Sequence, residues 1–260
     1  MGDQAFFCCF INLDRSLDRR RRMDVQLADA GIEACRMAAS DGREADVCYR
    51  PRWRRWIGGQ LGAGEIGCAE SHRRALRSLV DSGARFGVVL EDDAELAPDF
   101  RAAVEHLVSR TAGWDLVRLE QRKPDMLART GLRLPAGRTL VVPRNTTFGS
   151  TAMLYSARGA GLALRSLERG YMHPLDAHVG SLAGPGFRFL QLSPPVVSER
   201  CEPSLIGPRA DVPGGPQRSS ASRVGLQRLC NRGLRLASSI VRRLTVTAVA
   251  RRVWTLSASF

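Results

Sequence analysis

Phe86-Gly-Val-Val-Leu90 runs directly into Glu91-Asp92-Asp93. Five apolar or small residues in a row, Val-rich and bounded by Gly83 upstream, suit a strand buried on both faces. Three adjacent carboxylates then repel one another, and a divalent cation is a usual compensation. If the backbone stays extended, Glu91 and Asp93 point one way and Asp92 the other. A hard ion such as Mn²⁺ or Mg²⁺ would accept Asp93, with water and substrate phosphate oxygens filling its shell. The plainer alternative is a solvated strand end leading into a helix cap.

Outward from this strand, apolar runs alternate with helical periodicity. Ala5–Leu13 reads as a first strand and about Asp18–Ala30 as a helix stopped by Gly31. Ile32–Ala38 suits a short strand, and Gly67–Ser82 a helix stopped by Gly83. A helix starting near Pro98 continues through Leu107. Asp115–Leu119, Thr139–Val142, Thr151–Tyr155 and Phe187–Leu192 are further strands, Ala157–Arg169 a helix, and Gln121–Gly137 a polar connection. The alternation predicts an α/β layer fold, and such sheets place their sites beyond the carboxyl ends of strands.

The chain has 260 residues, 44% hydrophobic and 25% charged, which excludes wholesale disorder. Its formal net charge is +13, yet nine arginines and no acid lie in 213–260. The remainder, with 30 basic and 26 acidic residues, is nearly balanced. The expected organisation is a catalytic-size body over 1–206, a Gly/Pro/Ser-rich linker over 207–222, and a basic amphipathic segment over 223–260. That segment suits an anionic membrane surface. The run Tyr49-Arg-Pro-Arg-Trp-Arg-Arg-Trp56 reads as a sugar-stacking or lipid-contacting flap, or as a solvated loop. No nucleic-acid module accompanies it, so nucleic acid is a minor reading.

Seven cysteines without a CxxC pair argue against a disulfide framework or a structural zinc site. Cys8, Cys9 and Cys68 read as small buried hydrophobes. No secretory signal or spanning helix is expected, which suggests a cytoplasmic protein. The phosphate-loop and kinase signatures are absent, and Gly62-Ala-Gly64-Glu-Ile-Gly67 matches a dinucleotide fingerprint by letters only, with no good strand before it.

Four blocks in order resemble glycosyltransferase family 25, the lipooligosaccharide or lipopolysaccharide galactosyltransferase type. They are Ile11-Asn-Leu-Asp-Arg15 with Asp18-Arg19; Gly64-Glu-Ile-Gly-Cys68 with Ser71-His72; Val88-Val-Leu-Glu-Asp-Asp93; and Gly149-Ser-Thr-Ala-Met-Leu-Tyr155 with Pro174-Leu-Asp176. Ala69-Glu70 and Met153 depart from the usual pattern. The resemblance implies a GT-A-type nucleotide-diphospho-sugar transferase with a mixed central sheet. It also implies an inverting reaction with UDP-galactose, Mn²⁺ or Mg²⁺, and a lipooligosaccharide or other glycan acceptor. Glu91-Asp92-Asp93 then stands in the place of the fold's DxD-type motif, with Asp93 and Glu91 as metal ligands.

Asn12, Arg15 and Arg19 are candidates for the nucleotide pocket, since arginine forms bidentate bonds with diphosphate; a turn cap with surface arginines is the alternative. Ser71 and His72 are expected in the donor pocket or its support, with a merely structural histidine as the alternative. An inverting enzyme needs a base for the acceptor hydroxyl. Asp176 is the leading candidate, followed by Glu199 and Asp115, and His178 is assigned to the diphosphate or the metal. A body resting on the cytoplasmic face of the inner membrane would meet a lipid-linked acceptor there. The competing function is a non-catalytic basic membrane- or nucleic-acid-binding protein with a transferase-like fold.

Overall fold

The computed structural model describes residues 4–42, 61–110, 113–120, 127–134, 137–143 and 149–200, with backbone only for 127–133. The Tyr49–Trp56 run, the linker over 207–222 and the basic segment over 223–260 lie outside these residues.

The elements, in order, are β1 (Phe7–Asn12), α1 (Leu17–Asp29), β2 (Cys35–Ala38), α2 (Ala63–Asp81), β3 (Phe86–Glu91), β4 (Ala94–Leu96), α3 (Phe100–Arg110), β5 (Leu116–Arg118), β6 (Leu127–Arg133), β7 (Thr139–Pro143), β8 (Ala152–Ser156), α4 (Ala157–Glu168), α5 (Leu175–Ser181), β9 (Phe189–Ser193) and β10 (Val197–Glu199). Eight strands form one mixed sheet in the order β2-β1-β3-β8-β5-β9-β7-β6, and β10 pairs with β4 in a small antiparallel ribbon. β1 runs parallel to β2 and β3. β8 is inserted antiparallel between β3 and β5, which themselves share one direction.

Alternation along the strands splits the core into two layers. Cys8, Phe10, Val88 and Leu90 face one side, where Met23 and Leu27 of α1 and Phe100, Val104 and Leu107 of α3 cover them. Cys9, Ile11 and Val89 face the other, packed by Leu76 and Leu79 of α2 and Ala160, Ala163 and Leu167 of α4. The result is an α/β sheet with helices on both faces, consistent with a GT-A-like architecture. Gly87 permits the close approach of α2, because a Cβ there would lie 2.3 Å from a Leu79 methyl. The Ser156 side chain caps α4 by accepting a hydrogen bond from the Gly159 amide at 3.0 Å.

The expected polar connection over 121–137 contains the edge strand β6, which pairs antiparallel with β7 across a register irregularity. Its Leu-Ala-Arg-Thr-Gly-Leu-Arg sequence has weak alternation and a glycine, the composition of an edge hairpin, which polarity alone disguises as a loop. α2 begins earlier than its apolar stripe suggests, at Ala63, so Gly62 and Glu65 form its start and the Glu65 carboxylate accepts from the Gly62 amide. The glycine fingerprint letters are therefore a helix start, not a loop between strand and helix. No helix among the described residues is long and apolar enough to cross a membrane.

Candidate functional site

The carboxyl ends of β1, β3 and β5 and the amino end of β8 meet at one edge of the sheet. This edge gathers Asn12, Glu91, Asp92, Asp93, Glu120, Gly149 and Ser150. β10 brings Glu199 beside the turn after β3, since Glu199 pairs with Ala94.

The three adjacent carboxylates diverge. β3 ends at Glu91, and Asp92-Asp93 form the turn into β4, so extended alternation does not continue through Asp93. Glu91 Oε1 accepts from Ser150 Oγ at 2.5 Å, lies 3.1 Å from His72 Nε2 and is 3.8 Å from Cys68 Sγ. Asp92 turns to the opposite side, where Asn12 Nδ2 donates at 2.7 Å and Arg19 donates at 3.0 Å. Asn12 is itself held by Arg36 Nε at 3.0 Å, and Arg36 pairs with Asp14.

Asp93 has no such support. Its Oδ1 is buried without a hydrogen-bond partner among the described residues. Burial, then the Glu91, Glu199 and Asp92 carboxylates, push its carboxyl up to about 7, against a smaller opposing pull from Arg19. A cation beside this oxygen would relieve both desolvation and repulsion. The donors on this side are hard carboxylate oxygens, the set that suits Mg²⁺ or Mn²⁺. The described donor atoms that gather within 4.8 Å of one another, and so could hold an ion, are those of Cys68, His72 and Glu91.

Sequence reasoning missed Glu120. It lies two residues beyond β5, is 1% exposed, and neither carboxyl oxygen has a hydrogen-bond partner among the described residues. Burial pushes its carboxyl up to about 8, with Arg118 opposing and Glu91 adding to the rise. Gly149 rests against it at φ +88°, and a Cβ at that position would come 2.4 Å from Glu120 Oε1. The available signal was a carboxylate just past an apolar strand, the same one that singles out Glu91.

The remaining expected site residues separate into two groups. Asp176, near the start of α5, reaches the cluster: its Oδ2 accepts from the Gly149 amide at 3.2 Å and its Oδ1 from Ala177 at 2.7 Å. Glu199 lies beside Asp93, and Arg19 reaches the cluster through Asp92. Asp115 does not belong there. It precedes β5, at the opposite end of the strand from Glu120, where it accepts from Arg158 Nη1 at 2.5 Å and from the Arg188 amide at 2.8 Å. An acid flanking a strand serves a site only at the end where the neighbouring parallel strands also finish.

His178 is likewise turned away. Its Nε2 lies 3.0 Å from Ser166 Oγ on α4, its ring packs edge-on against Tyr171, and burial followed by His173 lowers its pKa. The Ser71 hydroxyl is fully committed, accepting from the Ser40 amide at 2.8 Å and donating to the Gly67 carbonyl at 2.6 Å. It ties the exit of β2 to α2. Arg15 is exposed and makes no ion pair among the described residues. Cys68 is more than a small hydrophobe: its sulfur, His72 and Glu91 place donor atoms within 4.8 Å of one another, the described residues' candidate metal cluster.

The comparisons with known proteins agree with this placement. The profile of "Glycosyltransferase family 25 (LPS biosynthesis protein)" matches residues 7–166. That range holds β1, the Cys68–His72 helix, the β3 acids and β8. A procollagen galactosyltransferase 1 of Danio rerio is 28% identical over 187 residues, 67% of this chain and 30% of that protein. An inactive glycosyltransferase 25 family member 3 of Homo sapiens is 30% identical, covering 64% of this chain and 30% of that protein. A glycosyltransferase 25 family member of Aedes aegypti is 25% identical over 181 residues. The chain thus spans about 30% of the length of these curated relatives. With the family's profile matched over more than half its length and the matched blocks converging on one sheet edge, the chain belongs to glycosyltransferase family 25.

Proposed function

We propose that this chain is an inverting, metal-dependent glycosyltransferase that moves galactose from UDP-galactose to a hydroxyl of a lipooligosaccharide or another glycan by direct displacement. The observation that carries this reading is the buried, unpartnered Asp93 oxygen among Glu91, Asp92 and Glu199. Asp93 and Glu91 hold the Mn²⁺ or Mg²⁺. When bound, the cation supplies charge neutralisation for the diphosphate leaving group. Asn12 and Arg19 fix Asp92 and with it the turn that presents Asp93. Asp176 receives the acceptor proton, its carboxylate oriented by the Gly149 and Ala177 amides; Glu199 is the second candidate base. The arginine-rich 223–260 segment brings the body to an anionic membrane surface on the cytoplasmic face.

A second reading keeps the fold and drops the turnover, leaving a basic membrane- or nucleic-acid-binding protein. Two findings favour it. The human relative and one of Bos taurus at 29% identity carry the word inactive in their names, and their identity to this chain is similar to the 28% of the procollagen galactosyltransferase 1 of Danio rerio. Glu91 Oε1 is also already engaged by His72 and Ser150.

One experiment separates the two readings. Full-length protein is incubated with UDP-galactose, Mn²⁺ and a panel of glycan acceptors, with product detected by mass, while UDP binding is followed by calorimetry. Transfer that D93N abolishes supports the first reading. UDP binding without transfer, or no binding with Mn²⁺ present, supports the second. D176N should retain UDP binding and lose about 10²–10⁴-fold in turnover.

A further inference from the structure

We propose that Cys68, His72 and Glu91 form a second kind of cation site at this sheet edge, one that takes a borderline divalent ion of the zinc type. It does not rest on the transferase reading, because it requires only these three side chains.

The donor set is thiol, imidazole and carboxylate, which selects Zn²⁺ or Co²⁺ over Mg²⁺ and Mn²⁺. The spacing agrees. Tetrahedral zinc with its ordinary bond lengths separates nitrogen and oxygen donors by about 3.3 Å, and sulfur and oxygen donors by about 3.5 Å. His72 Nε2 and Glu91 Oε1 are 3.1 Å apart, and Cys68 Sγ and Glu91 Oε1 are 3.8 Å apart. All three donor atoms lie within 4.8 Å of one another.

The elements hold the donors in place. Cys68 and His72 are four residues apart on α2 and so share one face, toward the end of β3. His72 is 1% exposed, and its Nε2 already points at Glu91 Oε1. Ser150 Oγ, 2.5 Å from Glu91 Oε1, offers a fourth oxygen, or a water takes that position. Cys68 and Glu91 both retain some exposure, which gives the ion a way in. On binding, the Cys68 thiol releases its proton to solvent and the sulfur binds as thiolate.

Titration of the full-length, reduced protein with Co²⁺ tests this by absorption. A thiolate-to-cobalt charge-transfer band in the near ultraviolet, displaced by Zn²⁺, is the expected result. C68S should lose the band. H72Q should weaken binding by more than the roughly 10–100-fold that loss of an outer-shell partner costs. D93N should leave the band in place. A parallel measurement uses the unaltered chain: Zn²⁺ should protect Cys68 from alkylation as read by peptide mass. No band in the unaltered protein, a band that survives in C68S, or Cys68 labelling that Zn²⁺ does not slow would each overturn the proposal. Loss of Co²⁺ binding in D93N but not in C68S would place the ion among the carboxylates instead and also refute it.

Discussion

Replacing Glu120 by Gln should change the pH dependence of stability more than stability at any one pH. The folded chain ionises this carboxyl near 8, while the ordinary value for the unfolded chain is 4.5. Between those values the folded state holds a proton that the unfolded state has released. Folded-state stability is therefore highest below 4.5, falls as pH rises through this window, and loses nothing further from Glu120 above 8. The slope is about 1.4 kcal/mol for each pH unit, so the whole window corresponds to a ceiling of about 5 kcal/mol. Gln cannot ionise and removes that slope. Its amide also leaves buried N–H groups, at a cost of about 1–3 kcal/mol that does not vary with pH. Urea unfolding at pH 5 and pH 8 separates the two effects: the stability of E120Q relative to the parent should improve by about 2–4 kcal/mol from the lower pH to the higher. Parallel pH profiles for the two proteins, or a relative loss at pH 8, would show that Glu120 is not held protonated by burial.

Two further outcomes follow from the same edge of the sheet and from β1. Gly149→Ala combines a backbone at φ +88° with a Cβ 2.4 Å from Glu120 Oε1; it should cost about 2–4 kcal/mol of stability in urea unfolding. Pairing this change with Glu120→Ala should recover part of the loss by removing the atoms the Cβ meets. Among the cysteines at 8, 9, 35 and 68, Cys35 is the exposed one, and the facing Cys9 thiol brings its pKa down to about 7. Burial raises Cys8 and Cys68, and Cys9 is raised by its interaction with Cys35 and then by burial. Mild alkylation near neutral pH should label Cys35 at least about 10-fold faster than the other three, read by peptide mass.

Periodicity is a strong guide where a helix has one apolar face, as in α1 and α4, and an unbroken apolar run marks β3, which is buried on both faces. It weakens at the edges. β6 is polar because it pairs on the sheet margin, and β4 and β10 are too short to show a period. α5 is a single short helix whose start is signalled only by Pro174. The site was legible where chemistry and position coincide: Glu91, Asp92 and Asp93 follow a recognisable strand. Asn12 ends β1 and Arg19 lies in the first turns of α1, at the same end of the sheet. Asp115 was misplaced because an acid beside a strand says nothing about which end of the sheet it joins until the strand's direction is known. β5 runs parallel to β3, so its useful end carries Glu120, not Asp115. Cys68 and His72 lie four residues apart with no third group apparent nearby in the sequence, because Glu91 comes from across the sheet and is invisible to local pattern.

The choice between a turning-over enzyme and an inert relative rests on how this edge is stabilised. Asp92 is fully supported by Asn12 and Arg19, and Asp176 by two backbone amides. Asp93 and Glu120 stand apart from that pattern: Glu120 is buried and Asp93 half-buried, each has a buried oxygen without a partner among the described residues, and both are pushed toward the protonated form by burial and neighbouring acids. Neither arrangement helps the fold, since a buried carboxyl without hydrogen bonds costs more than an apolar side chain of the same shape. Strain of this kind is expected where a ligand supplies the missing interaction. For Asp93, which faces Glu199 on β10 and borders an open turn, a cation is the partner that removes desolvation and repulsion together. For Glu120, enclosed by Gly149 and β5, a proton serves that purpose and no ligand needs to enter. The asymmetry between a supported Asp92 and an unsupported Asp93 is therefore the feature of this sheet edge that weighs most toward cation-dependent chemistry.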